Sequence, residues 1–106
     1  MRTLLIDVDG TLAEYVEFTK GQIGAPVENA KKMMAYLSRY FKIVIFTTRP
    51  KKVTEAWLKK WDINYDEYVQ KPMHYLLVDD RSISFNGDWE QTKKDIFSFK
   101  PWWNKK

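Results

Sequence analysis

Three short apolar runs in this chain each stop at a cluster of acidic, hydroxylated or basic residues, and that repeated pattern limits the fold more than any other feature. Thr3-Leu4-Leu5-Ile6 ends at Asp7, Ile43-Val44-Ile45-Phe46 ends at Thr47-Thr48-Arg49, and Tyr75-Leu76-Leu77-Val78 ends at Asp79-Asp80. Short runs without apolar and polar alternation are expected of strands in a parallel sheet covered on both faces. Between the first two runs, Val27, Ala30, Met34, Leu37 and Phe41 recur at three- and four-residue spacing behind Pro26, which stands where a first helical residue would. This predicts an amphipathic helix. Pro50 stops further pairing after the second run. Val53, Trp57 and Trp61, joined by Leu58, predict the core face of a second helix. Residues 65–69 predict another strand, weakened by Asp66 and Glu67. Ile83 and Phe85 suggest a short edge strand closed by Asn86-Gly87, and Asp88 reads as an N-cap with Gln91 placed to reach back to it. Residues 14–24, with Gly21 and Gly24 and no sustained period, read as a loop or small flap.

Strand and helix alternating at this spacing means right-handed βαβ units and one parallel sheet, an α/β fold. A length of 106 residues allows one domain, read as residues 1–99, with a basic aromatic tail at 100–106. With no cysteine, disulfides, thiolate metal sites and cysteine nucleophiles all drop out. No apolar run approaches the roughly 18 residues of a membrane span, and no basic-then-apolar leader opens the chain. The expectation is a soluble cytoplasmic protein without a membrane partner. The net charge of +4 is carried by residues 93–106, where Lys93, Lys94, Lys100, Lys105 and Lys106 face only Asp95. The basic character therefore belongs to an appendage, and the body is neutral.

In parallel sheets ligands bind beyond the carboxyl ends of the strands. Those ends carry Asp7, Asp9, Gly10 and Thr11, then Thr47, Thr48 and Arg49, then Asp79, Asp80, Arg81 and Ser82, with Lys71 just before the third run. Four carboxylates on one edge repel each other unless a cation neutralises them. Oxygen ligands with no His or Cys nearby favour Mg2+. Gly10 can take the backbone angles of a tight turn and present its amide to an anion. The combination suits a dianion and a metal.

The stretch Asp7-Val8-Asp9-Gly10-Thr11-Leu12, Thr47 after a strand, Lys71 and the Asp79-Asp80 pair resemble, in order, the four motifs of the haloacid dehalogenase-like (HAD-like) hydrolases. The resemblance covers residues 3–88. It implies a three-layer Rossmann-like fold and a Mg2+-dependent phosphatase working through an aspartyl-phosphate. By position, Asp7 would be the nucleophile and Asp9 the general acid and base. Thr47 would bind phosphoryl oxygens, and Lys71 would offset charge. Gly10, Thr11, Thr48, Arg49 and Arg81 would lie on the substrate side. Mg2+ would be held by Asp7, the Asp9 carbonyl and Asp79 or Asp80. Neither usual insertion point, residues 12–25 or 48–70, has room for a cap domain. A capless member of that family implies an open site for a large substrate, or one covered by the flap, the tail or another subunit. The tail modestly favours polynucleotide ends as partner, and nucleotides or sugar phosphates are the alternative.

Blander readings stand beside these. Lys71 would then be a solvated loop residue, and Arg49 and Arg81 would form surface salt bridges. His74 is alone, which disfavours a metal role. Trp57 and Trp61 read as core, and Trp102 and Trp103 as packing against the core or a partner, or as stacking platforms for bases. A receiver-like module binding Mg2+ without turnover would place its acidic pair at the first strand, which is not the order found here.

Overall fold

The computed structural model describes residues 2–16 and 21–104. Lys105, Lys106 and part of the expected flap lie outside the described residues. Three parallel strands, β1 (Arg2–Ile6), β2 (Phe41–Thr47) and β3 (Glu67–Gln70), form a sheet in the order β1-β2-β3. Three helices accompany them: α1 (Ala30–Leu37), α2 (Lys51–Lys60) and α3 (Trp89–Ser98). The chain is thus a small α/β domain with a Rossmann-like parallel sheet. No helix among the described residues is long and apolar enough to cross a membrane.

β2 is the central strand, and Ile43, Val44 and Ile45 are all buried. Only here does covering of both faces hold. β1 pairs with β2 alone among the described strands, and its Leu5 is 55% exposed. β1 is therefore half covered, contrary to the expectation. β3 starts at Glu67 because Asp66 does the work of a strand end: its amide donates to the Ile43 carbonyl at 2.9 Å and its carboxylate accepts from the Ile43 amide at 2.8 Å.

α1 buries Ala30, Met33, Met34 and Leu37 and packs against α3. It begins later than Pro26, which instead bridges Ala13 while the Val27 amide donates to the Leu12 carbonyl at 2.7 Å. Asn29, at φ 68°, turns the chain into the helix. Phe41 opens β2 rather than extending the helix face. α2 buries Thr54, Trp57 and Leu58, whereas Val53 and Trp61 are exposed. The core stripe is thus rotated from the one that the spacing predicts, and Thr54 fits because its hydroxyl donates to the Pro50 carbonyl at 2.9 Å. At α3, Asp88 caps as expected, accepting from the Gln91 amide at 3.1 Å. The Gln91 side chain turns forward to Asp95 rather than back, and Asn86 accepts from the Asp88 amide.

The largest departure is at residues 75–78. No strand forms there, and Leu76 and Val78 are 91% and 92% exposed. Only residues 71–74 separate this stretch from the end of β3. Reaching the free edge of β1 as a parallel strand takes a crossover of roughly a dozen residues. Ile83 and Phe85 also form no strand but lie half buried against the core, Phe85 with its ring 4.9 Å from that of Trp89.

These positions differ sharply in what they contribute to folding. In urea unfolding, Leu37→Ala is expected to cost about 2–5 kcal/mol. Leu76→Lys is expected to stay within about 0.5 kcal/mol of wild type. A loss at Leu76 as large as that at Leu37 contradicts the exposed placement.

Candidate functional site

The end of β1 turns sharply. The Val8 carbonyl accepts from the amides of Thr11, Leu12 and Ala13 at 3.1, 3.0 and 2.9 Å, and Gly10, at φ 80°, stands in the left-handed region that glycine enters without penalty. Its own amide donates to the Ala13 carbonyl at 2.8 Å. The tight turn is therefore as expected, but the Gly10 and Thr11 amides are spent inside it rather than offered to an anion. The Thr11 carbonyl in turn accepts from the Trp89 indole at 3.1 Å, which ties the turn to α3.

This turn sets two carboxylates at the carboxyl end of the sheet, and each meets a cation from another strand end. Lys71, directly after β3, brings Nζ to 3.3 Å from Asp7 Oδ1. Its backbone amide donates to the Thr47 carbonyl at 2.7 Å, which fixes its approach from β3 to β2. Arg49, two residues beyond β2, grips Asp9 with two bonds, Nε to Oδ2 at 2.8 Å and Nη2 to Oδ1 at 2.9 Å. The same guanidinium donates to the carbonyls of Gly21 and Gln22 at 2.9 and 2.8 Å, and the side chain is 2% exposed. Arg49 is thus an internal clamp, not a surface salt bridge. Tyr68 helps to hold it, donating its hydroxyl to the Arg49 carbonyl. Thr47 is fully buried, and its hydroxyl oxygen accepts from the Arg49 amide at 3.2 Å. Thr48 lies half buried beside it, its carbonyl accepting from Gln70 at 3.2 Å.

Asp7, Asp9, Thr47, Arg49 and Lys71 therefore belong to one connected end of the sheet. Asp79, Asp80 and Arg81 form a separate, exposed cluster. Asp80 Oδ2 accepts from the Trp103 indole at 2.6 Å, Asp79 Oδ1 accepts from the Arg81 amide at 2.9 Å, and the Arg81 guanidinium lies 5.5 Å from the centre of the Trp103 ring. The indole bond pulls the Asp80 carboxyl below its ordinary value. Trp103 and Trp102 are exposed, so neither packs into the core.

Among the described residues no three His, Cys, Asp or Glu side chains gather closely enough to hold a metal ion. Both Asp9 oxygens are committed to Arg49, and Asp80 is turned to the tail. In this arrangement the carboxylates expected to share Mg2+ do not fit it as one set.

Tyr75 and Phe46 stand in the sequence only as members of apolar runs, yet both flank Lys71. The Tyr75 hydroxyl accepts from Lys71 Nζ at 2.6 Å, and the rings of Tyr75 and Phe46 lie 4.4 and 4.9 Å from that nitrogen. Two surface hollows of about 470 and 510 Å³ lie elsewhere, one beside Pro26 and Lys31, the other beside Glu55 and Tyr65.

A conserved protein from Bacteroides thetaiotaomicron superposes with a TM-score of 0.66 at 18% sequence identity, over 96% of this chain and 94% of its own. A crystal structure of a protein from Vibrio cholerae gives 0.64 at 24% identity, over 91% of this chain and 99% of its own. What they share with this chain is the fold. No family model matches the chain, and no curated protein matches it either.

Burial pushes the Asp7 carboxyl above its ordinary value of 3.8, against the opposing pull of Lys71 and of the Val8 amide. The folded state then holds that proton more tightly than the unfolded chain does. Its stabilising effect is present below the unfolded pKa and is lost as pH rises through the folded one. Asp7→Asn, neutral throughout, is expected to unfold at a higher denaturant midpoint than wild type at pH 7, with the difference vanishing toward pH 3. A variant less stable than wild type at pH 7 contradicts this.

Proposed function

We propose that the chain is a phosphohydrolase of the HAD-like type, a capless three-layer domain that transfers a phosphoryl group to Asp7 and then to water. The observation that carries the reading is the pairing of Asp7 with the buried Lys71 at the carboxyl end of the parallel sheet, at 3.3 Å, in the chain order of that family's motifs.

The chemistry follows from charge. An oxygen of Asp7 attacks phosphorus as the bond to the leaving oxygen breaks, and negative charge spreads over the remaining phosphoryl oxygens. Lys71 stands where it offsets that charge, preorganised by burial rather than recruited from solvent. Thr47, which the resemblance assigns to the phosphoryl oxygens, is fully buried here and accepts from the Arg49 amide, so it would reach substrate only after the strand end moves. Asp9 would give the leaving oxygen its proton and then take one from water as the aspartyl-phosphate is cleaved. For that transfer, Arg49 has to release one Asp9 oxygen. Mg2+ belongs to this proposal through the family resemblance. The carboxylates that the resemblance assigns to it are not gathered into one set among the described residues.

The clamp on Asp9 favours a second reading, a module that binds phosphate without turnover. As to substrate, an uncapped site and a lysine-bearing tail favour polynucleotide ends or another large phosphorylated partner over nucleotides and sugar phosphates.

Both readings separate in one assay: hydrolysis of 3'- and 5'-phosphorylated oligonucleotides, nucleotides and sugar phosphates, with and without Mg2+. Wild type is expected to release phosphate. Asp7→Asn is expected to lose at least about a thousandfold in kcat, and Lys71→Met about a hundredfold. Phosphate binding without release in wild type supports the non-catalytic module. Undiminished turnover in folded Asp7→Asn removes the nucleophile assignment.

A further inference from the structure

We propose that Tyr75 is a positioning residue for Lys71, fixing the ammonium against Asp7 through its hydroxyl. Its consequence for turnover rests on the phosphohydrolase reading, but the positioning itself does not. Lys71 is 7% exposed. An ammonium so buried has little water to satisfy its three N–H donors, and the protein must supply what faces them.

Three groups do so. The Tyr75 hydroxyl oxygen lies at 2.6 Å and Asp7 Oδ1 at 3.3 Å, while the Phe46 ring centre stands 4.9 Å away. The Tyr75 ring contributes its own face as well, at 4.4 Å, and an aromatic face attracts a cation at such distances. The shorter of the two polar contacts is to the tyrosine, not to the carboxylate. A flexible four-carbon stem would let Nζ move among several positions. Pinning it by the phenol leaves it directed at Asp7 without a tight ion pair that would draw the charge away from an incoming anion.

The backbone is shaped for this contact. His74 has φ 53°, a left-handed conformation uncommon for a residue with a side chain. That turn, immediately before Tyr75, folds the chain so that a residue four positions after Lys71 comes back over its side chain. Residues 76 and 78 beyond it are almost fully exposed and Tyr75 is 45% exposed, so the left-handed turn at His74, and not a strand, brings Tyr75 to this point.

The test compares Tyr75→Phe, which keeps the ring, with Tyr75→Leu, which keeps neither ring nor hydroxyl. The first readout is the rate at which an acylating amine reagent modifies Lys71, measured by peptide mass spectrometry. The second is kcat and KM on the best phosphorylated substrate. Tyr75→Phe is expected to speed Lys71 modification about tenfold and to lower kcat about tenfold with KM little changed, the loss of one hydrogen bond to a charged group. Its thermal midpoint should match wild type. Tyr75→Leu should exceed it in both effects. Unchanged Lys71 modification in both variants overturns the proposal, as does faster modification accompanied by a general fall in thermal midpoint. Faster modification in a protein whose wild type hydrolyses none of the substrates upholds the positioning and sinks the phosphohydrolase reading instead.

Discussion

Two carboxylates two residues apart, Asp7 and Asp9, sit at the end of one strand, and their mutual repulsion is met by one cation from each of the other two strand ends. Lys71 arrives from β3 and Arg49 from β2. These contacts close the top of the sheet: each joins elements distant in the chain, and each is largely withdrawn from water, where an ion pair counts for more than on the surface. Removing Asp9 from its pair would leave the Arg49 charge buried, a far larger cost than losing a surface bridge. The parallel topology makes the arrangement available, since it alone brings all three strand ends to the same edge.

The two pairs are not equivalent. Arg49 meets both oxygens of Asp9 and two loop carbonyls, a fixed fork matched to its acceptors. Lys71 touches one oxygen of Asp7 at a longer distance and is shared with Tyr75. Asp9 is thereby immobilised, while Asp7 keeps an oxygen free of its lysine and a carboxyl pushed upward by burial. A half-buried group with a perturbed pKa and an incomplete partner is a candidate for reactivity. In the proposed reading Asp7 is the nucleophile by family resemblance, and that asymmetry is compatible with the role.

How much of this could be read from the residues varies with the range of the interaction. The middle strand was legible because Ile43-Val44-Ile45 is apolar on both faces and the strand is covered on both. Asp7, Thr47 and Lys71 could be brought together because a parallel sheet gathers strand ends. The start of α1 was not legible: Pro26 is helix-compatible, but the Val27 amide is claimed by Leu12, a contact across the loop that local spacing does not encode. The run at 75–78 is as apolar as β2, yet without a neighbouring strand its composition alone could not pair it. That displacement also leaves Asp79 and Asp80 outside the group they were expected to complete. Arg49 reads equally as a surface or a site residue until its partner forty positions earlier is known.

The central claim is that phosphoryl transfer passes through the Asp7 carboxylate. The most direct measurement is acid quenching during turnover, followed by peptide mass spectrometry of residues 2–16. A phosphoryl group on Asp7, labile to hydroxylamine and missing from Asp7→Asn, is the result this account predicts. Turnover proceeding with the peptide unmodified under conditions that trap acyl phosphates, or with the phosphoryl group on another residue, contradicts it.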